Sequence, residues 1–154
     1  MKILTETDKK YKEIELHVCN SALTDEVRAI VGELHEIYDY NIPGTDEIGN
    51  KRMIRRAEIL SAYSEGQRVM VLTGDGRYVV QKKLYELETE LGEANFIRIS
   101  KSEIVNIHKI KSLDLSITGT ITLVMKTGYE TYVSRRNVSK IKEKLTREKL
   151  EGRA

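Results

Sequence analysis

The sequence predicts a mainly β protein with a few short helices, an α+β chain whose first part is a small strand–helix piece. Three observations carry this expectation. Short apolar runs recur at regular spacing between residues 59 and 133. Glycines punctuate them at Gly74, Gly76, Gly119 and Gly128. Only short stripes at helical spacing interrupt or follow them: Leu84, Leu87 and Leu91, then Val138, Ile141 and Leu145.

Taken in order, Glu13-Ile14-Glu15-Leu16-His17-Val18 alternates polar and apolar residues, the period of a half-buried strand. Val27, Ile30, Val31, Leu34 and Tyr38 then fall at helical spacing, with Thr24 placed to cap the helix and Asp25-Glu26 in its first turn. This helix should end before Asn41-Ile42-Pro43-Gly44. Pro43 to Lys51 reads as a linker. The expected organisation is an N-terminal segment over 1–48, a second, mainly β domain over 49–148, and a charged tail over 149–154. In the second part Ile59–Tyr63 is the first strand. Arg68–Thr73 and Arg77–Gln81 flank Gly74-Asp75-Gly76, a hairpin signal because Asp-Gly accepts positive φ. A helix from Lys83 to Leu91 should pack on the sheet. Strands follow at Phe96–Ile99, Ile104–Ile107, Ile110–Asp114, Thr120–Met125 and Tyr129–Val133. A C-terminal helix fades into the charged tail from Arg147.

Forty per cent of the 154 residues are apolar and 32% are charged, a composition that supports a packed globular core. No apolar run reaches membrane-spanning length. Met1 to Glu6 turns polar before a signal-peptide core forms, and Cys19 is the single cysteine, so a cytoplasmic protein is expected. Net charge is only +2, but it is unevenly spread. Residues 1–48 hold five Lys/Arg against eleven Asp/Glu, net −6, and the remainder is +8. An acidic front piece thus precedes a basic body, which suits a binding domain with a regulatory or dimerising lobe. Chance variation on a solvated surface gives the same totals.

Enzymatic constellations are absent from the sequence. His17, His35 and His108 have no metal-ligand spacing with one another or with a cysteine, and no cofactor is implied. Gly74-Asp75-Gly76 lacks the Lys-Ser/Thr of a phosphate loop. Cys19 reads as a small hydrophobe.

Two basic blocks are more pointed: Phe96 to Asn106, and Tyr132 to Val138. Each puts a cation and a hydroxyl where an apolar strand gives way to a turn. Positive charge suits phosphates, Arg or Lys suits base edges, and short polar groups fix register. Arg98 shares a strand face with Phe96 and Ser100, opposite Ile97 and Ile99. Lys101 should project from the turn beyond, next to Ser102. Ser134 is placed to cap the last helix, leaving N–H groups to hold a phosphate. Arg135, Arg136 and Asn137 follow it. Arg136 has the reach for a guanine edge, and Asn137 for adenine or phosphate. Ordinary capping with two solvated arginines explains the same residues, and from the residues alone the two readings are even. Lys140, Lys142, Lys144 and Lys149 form a solvated helix face, of which Lys140 is the one near backbone phosphate. Arg52, Arg55 and Arg56 read as a solvated loop. With Phe96 the only phenylalanine and no tryptophan, there is no stacking platform for single strands. No helix-turn-helix is evident.

The order of these motifs resembles the LytTR family of bacterial DNA-binding domains over roughly Arg56 to Leu145. Phe96-Ile97-Arg98, Ser100-Lys101-Ser102, Ile104-Val105-Asn106 and Val133-Ser134-Arg135-Arg136 follow the family's sequence of motifs, and Leu84-Tyr85-Glu86-Leu87-Glu88 resembles its upstream helix. The resemblance implies an elongated, mainly antiparallel β fold whose loops enter successive major grooves of a bent duplex. It implies that Lys101 and Arg136 contact bases, with Gln67 and Arg68 in a third contact region. Arg98, Ser102, Ser134, Asn137 and Lys140 would contact the backbone or support the loops. Ser100 stands where the family usually has His, and Lys101 where Arg is more frequent, so base discrimination there should differ, since lysine lacks the planar fork. Ser61-Ala62-Tyr63 also departs from the family's pattern.

Many relatives carry a receiver domain, for which residues 1–48 are too short. The resemblance therefore implies a stand-alone regulator, often held by a membrane protein. The functional expectation is a sequence-specific transcription regulator on double-stranded DNA, a homodimer, with no small-molecule substrate. The competing expectation is a protein-interaction module whose basic strip meets an acidic partner.

Overall fold

A computed structural model describes residues 2–11, 15–38, 40–116 and 119–151. Met1–Ile37 and Tyr38–Ala154 are separate compact units. In the first, helix α1 spans Asp25–Tyr38. Thr24 Oγ1 accepts the Val27 N–H at 3.3 Å, as its N-cap role requires. The stripe Val27, Ile30, Val31 and Leu34 is half-buried. The strand expected over Glu13–Val18 lies partly outside the described residues, and Glu15–Val18 have no regular secondary structure. Two-residue alternation alone does not hold a strand that has no neighbour to pair with.

The second unit is built on a seven-stranded antiparallel sheet and a three-stranded one. The large sheet contains β1 (Asn41–Thr45), β2 (Lys51–Arg55), β3 (Ile59–Glu65), β4 (Arg68–Thr73), β5 (Arg77–Val80), β6 (Phe96–Arg98) and β7 (Glu103–Asn106), in the order β2-β1-β5-β4-β3-β7-β6. The small sheet is β8 (Ile110–Leu115), β9 (Ile121–Met125) and β10 (Glu130–Tyr132). Helix α2 (Leu84–Leu91) sits between β5 and β6 in sequence, and α3 (Val138–Glu151) closes the chain.

The strands' alternation explains the layers. One set of inward residues, including Ile42, Ile59, Val71, Phe96 and Ile104, packs with Leu84, Leu87 and Leu91 of α2. The alternate set, including Leu60, Ile97, Ile99 and Val105, packs with Leu123 and Met125 of the small sheet and Ile141 of α3. Every residue of β7 is buried, as expected of a strand covered on both faces.

Two expectations need correction. Pro43 does not mark a linker; Asn41–Thr45 is a strand between β2 and β5. The ladder to β5 begins at Gly44, beyond Pro43, so the missing proline N–H forfeits no bond on that side. Gly44 is there for close approach: a Cβ would come 2.5 Å from Ile54 Cδ1 and 2.9 Å from Tyr78 Cβ. The Gly74-Asp75-Gly76 hairpin forms, but with no positive φ in it. Thr73 closes it, its N–H donating to Gly76 O at 2.9 Å and its hydroxyl to Gly76 O at 3.1 Å and to Asp75. Helix α3 continues to Glu151, into the segment expected as a charged tail. Lys144 Nζ donates to Glu93 O, and His108 Nδ1 lies 2.6 Å from Glu148, which hold those turns against the domain.

Arg52, Arg55 and Arg56 are not a solvated loop. Arg52 bridges Glu58 and Asp75 and lies over the Tyr78 ring, Arg55 pairs with Glu58, and Arg56 donates to Glu90 O and lies over Tyr40.

Candidate nucleic-acid interface

Three turns meet at one end of the sheets. The first joins β3 to β4 through Gly66, whose φ of +61° a glycine adopts without strain, and Gln67. The second joins β6 to β7 through Ile99–Ser102. The third leaves β10 through Val133–Asn137 and enters α3. Backbone hydrogen bonds tie them together. The Ser64 N–H donates to Ser102 O at 2.8 Å, linking the first turn to the second. The Ser134 N–H donates to Ile99 O at 2.9 Å, linking the third to the second. Blocks some 35 residues apart in sequence thus share one edge, and each is fixed by groups that cannot rotate freely.

Arg98 builds the middle turn. Its side chain is only 25% exposed and each of its three guanidinium nitrogens donates a hydrogen bond. Nε donates to Ser100 O at 2.8 Å, one terminal nitrogen to Lys101 O, and the other to Glu88 Oε2 at 2.8 Å. Ser100 Oγ accepts the Ser102 N–H at 3.2 Å and lies 3.3 Å from Ser102 Oγ. Lys101 is exposed at the tip of this brace.

The third turn differs from the expected helix cap. Arg135–Asn137 forms a 3-10 turn ahead of α3, and the Ser134 hydroxyl makes no capping bond to the backbone. Instead Ser134 Oγ accepts from Asn137 Nδ2 at 2.7 Å, while the Asn137 N–H donates to Ser134 O at 2.9 Å. These two side chains therefore lock the turn. Arg135 lies against the β8–β9 turn, where a Cβ on Gly119 would stand 2.9 Å from its Nη2. Arg136 and Lys140 are exposed, as are Gln67 and Arg68 on the first turn. All ten expected site residues thus lie in or beside the joined turns, with Arg98 and Asn137 engaged internally.

Arginine pairing, among the described residues, separates this edge from the rest of the molecule. Among the described residues, Arg28, Arg52, Arg55, Arg77, Arg98 and Arg147 pair with carboxylates, and Arg56 with a carbonyl. The remaining described arginines are Arg68, Arg135 and Arg136, and none of their side chains has an ion-pair or hydrogen-bond partner. Lys101 and Lys140 are likewise unpaired, as are lysines elsewhere such as Lys51, Lys111 and Lys126, so the arginines mark the edge. Unpaired cations at one edge focus a positive potential there, the footprint of a polyanion site.

Tyr132, 70% exposed on β10 beside Ser134, also belongs to this edge. Alternation within Tyr129–Val133 could have found it, since Thr131 and Val133 point inward. The buried Glu103 beneath the second turn was likewise not singled out. Among the described residues no group of His, Cys, Asp or Glu is arranged to hold a metal, and no helix is long and apolar enough to cross a membrane.

A β framework presenting unpaired cations on joined turns fits a nucleic-acid-binding domain. The comparisons agree with that class: the LytTr DNA-binding domain model matches residues 50–146, and the chain belongs to the LytTR family. The fold is that of a solved LytTr DNA-binding domain from Bacillus cereus, with a TM-score of 0.61 at 22% identity, covering 68% of this chain and 95% of that one. Two relatives, named uncharacterized HTH-type transcriptional regulators of Staphylococcus aureus strains NCTC 8325 and COL, are each 37% identical over 94 residues. The match covers 61% of this chain and 63% of each relative's length. In this chain, strands β6 to β10 separate α2 from α3, so these two helices are not a helix-turn-helix pair.

Proposed function

We propose that this chain is a cytoplasmic transcription regulator that recognises a specific double-stranded DNA sequence with its three joined turns. The observation that carries the reading is the set of unpaired cations, Arg68, Lys101, Arg135, Arg136 and Lys140, gathered at one edge while the other described arginines are engaged. Lys101 and Arg136 reach base edges in successive major grooves. Arg135, Lys140, Gln67 and Arg68 meet phosphates, and Ser102, Ser134 and Asn137 hold the turns while offering hydroxyl and amide groups to the backbone. Arg98 sets the shape of the Lys101 turn and is not itself a contact.

A homodimer on repeated half-sites fits a single small reading head, since two copies double the sequence that is read. The acidic piece before residue 38, with its half-buried apolar stripe on α1, is the dimerising or regulatory element, the surface that a restraining membrane protein would also engage. Deletion tests it. The cut belongs after Ile37, because removing residues through 42 would take Ile42 out of the core. Unchanged oligomeric state and DNA affinity in the 38–154 fragment would remove this assignment.

The experiment for the main reading is selection from random duplex DNA followed by competition at rising salt. Preference among sequences that survives physiological salt supports a regulator. Retention of any polyanion equally, acidic peptides included, would favour a protein-interaction module.

A further inference from the structure

Glu103 is a carboxyl group 7% exposed, and it has no cation beside it. Hydroxyls satisfy it instead. Oε1 accepts from Ser61 Oγ at 2.5 Å and from Tyr129 OH at 3.1 Å, and Oε2 accepts from Thr131 Oγ1. Ser61 belongs to the large sheet, on β3. Tyr129 and Thr131 belong to the small sheet, just before and within β10. One side chain therefore bonds both sheets.

Its main chain does a second job. Glu103 O accepts the Ile99 N–H at 3.0 Å and the Ser100 N–H at 3.4 Å, which closes the Lys101 turn. Thr131 lies three residues before Ser134, about 10 Å of extended chain. A path of hydrogen bonds thus runs from the Lys101 turn through Glu103 to β10, and the chain itself continues from there to Arg135 and Arg136. An aliphatic residue would fill this inward position at a lower desolvation cost, but without direction. A carboxyl with three donors fixes distance and orientation between the two sheets.

We infer that Glu103 is the positioning residue that sets the Lys101 turn relative to the Arg135–Arg136 turn, so that the cations of both present a single spacing to the DNA. This rests on the reading of those turns as DNA contacts. Supporting it, the Tyr129 phenol is pushed up to about 12 by burial and then by the charge of Glu103, so it stays a donor across the physiological range.

The test uses the full chain and three variants. Glu103→Leu keeps bulk and removes the link. Thr131→Val removes the donor from β10 and leaves Glu103 in place. Glu103→Gln keeps an acceptor for Ser61 and Tyr129 and can donate to Thr131. Two readouts are taken on variants shown to be folded. The first is amide hydrogen exchange at Ser134, whose N–H bonds across to Ile99. The second is affinity for the duplex selected by wild type, divided by affinity for random duplex.

In Glu103→Leu, Ser134 protection should fall about tenfold relative to β4 amides, because the side-chain link between the sheets that supports the Ser134–Ile99 bond is gone, and Thr131→Val, which keeps the Tyr129 bond, should fall in the same direction by less. The affinity ratio should fall about tenfold while random-duplex affinity changes less than about twofold. Glu103→Gln should restore both. A residue acting only through global stability would move Ser134 and β4 amides alike and leave the ratio unchanged; that result overturns the positioning role. The two levels fail separately. If wild type prefers no sequence but Ser134 loses protection, the DNA reading falls and the structural link stands. If wild type prefers a sequence but neither readout moves in the variants, the DNA reading stands and the positioning role falls.

Discussion

Replacing Arg98 with alanine removes the brace beneath the Lys101 turn. The guanidinium donates to Ser100 O, Lys101 O and Glu88 Oε2. The two carbonyl bonds are worth about 1 kcal/mol each after exchange with water. The Glu88 pair adds less than about 1 kcal/mol, because that carboxylate is largely solvated. The loss should be about 1–3 kcal/mol, and at about 4 °C per kcal/mol for a unit of this size the midpoint should fall by about 4–12 °C. The informative assay combines melting with DNA affinity over a salt series. A phosphate-contacting arginine contributes about 0.9 to the slope of log affinity against log salt. Arg98 is committed inside the protein, so Arg98→Ala should weaken binding and leave that slope unchanged. A slope lower by about 0.9 with an unchanged melting point would refute the brace and make Arg98 a contact.

Three further outcomes follow from named contacts. Arg136→Ala should cost about 1–3 kcal/mol on the selected duplex and relax preference at one base pair, whereas Lys140→Ala should weaken binding to all duplexes alike; binding isotherms on a panel of single-substitution duplexes separate the two. Gly44→Ala should destabilise by about 1–3 kcal/mol in urea melts, since its Cβ collides with Ile54 and with the Tyr78 Cβ, which cannot swing away, yet leave sequence preference intact because Gly44 lies outside the three turns. The Glu58 carboxyl is held below the usual carboxylate range, first by the Arg55 N–H and then by the Arg52 charge despite partial burial. A depressed acid contributes stability above its unfolded value and loses it as pH falls through the folded one. The stability gap between wild type and Glu58→Gln should therefore be full above the ordinary carboxylate range and close as pH falls below it in urea melts.

What the sequence revealed follows from how local each signal is. The strands β3 to β10, the Gly74–Gly76 hairpin and the stripe Leu84, Leu87, Leu91 are set by neighbours within a few residues, and they form where periodicity places them. The two basic blocks were legible for the same reason, because a cation and a hydroxyl at a strand end are adjacent in sequence. Features decided across the sheet were not legible. Pro43 and Gly44 look like a linker until Val80 and Met53 are seen to pair with that segment. Ser134 looks like a helix cap until its hydroxyl is spent on Asn137. Nothing near Glu103 in sequence announces Thr131 or Tyr129, and it is one acid among 24. Arginine pairing is equally non-local. Arg52, expected in a solvated loop, is given two acids by the fold, while Arg136 is left open.

The central claim is that the joined turns read a DNA sequence. It is tested most directly by selecting from random duplex DNA with the full chain and with Arg136→Ala, at physiological salt, with sequencing as the readout. The account predicts an enriched motif for the full chain, as two half-sites spaced near one helical turn of about 10 base pairs. It predicts that the variant loses information at specific positions of that motif and keeps the rest. Enrichment by neither protein, with DNA held only at low salt even after residues 1–37 are removed, would contradict it.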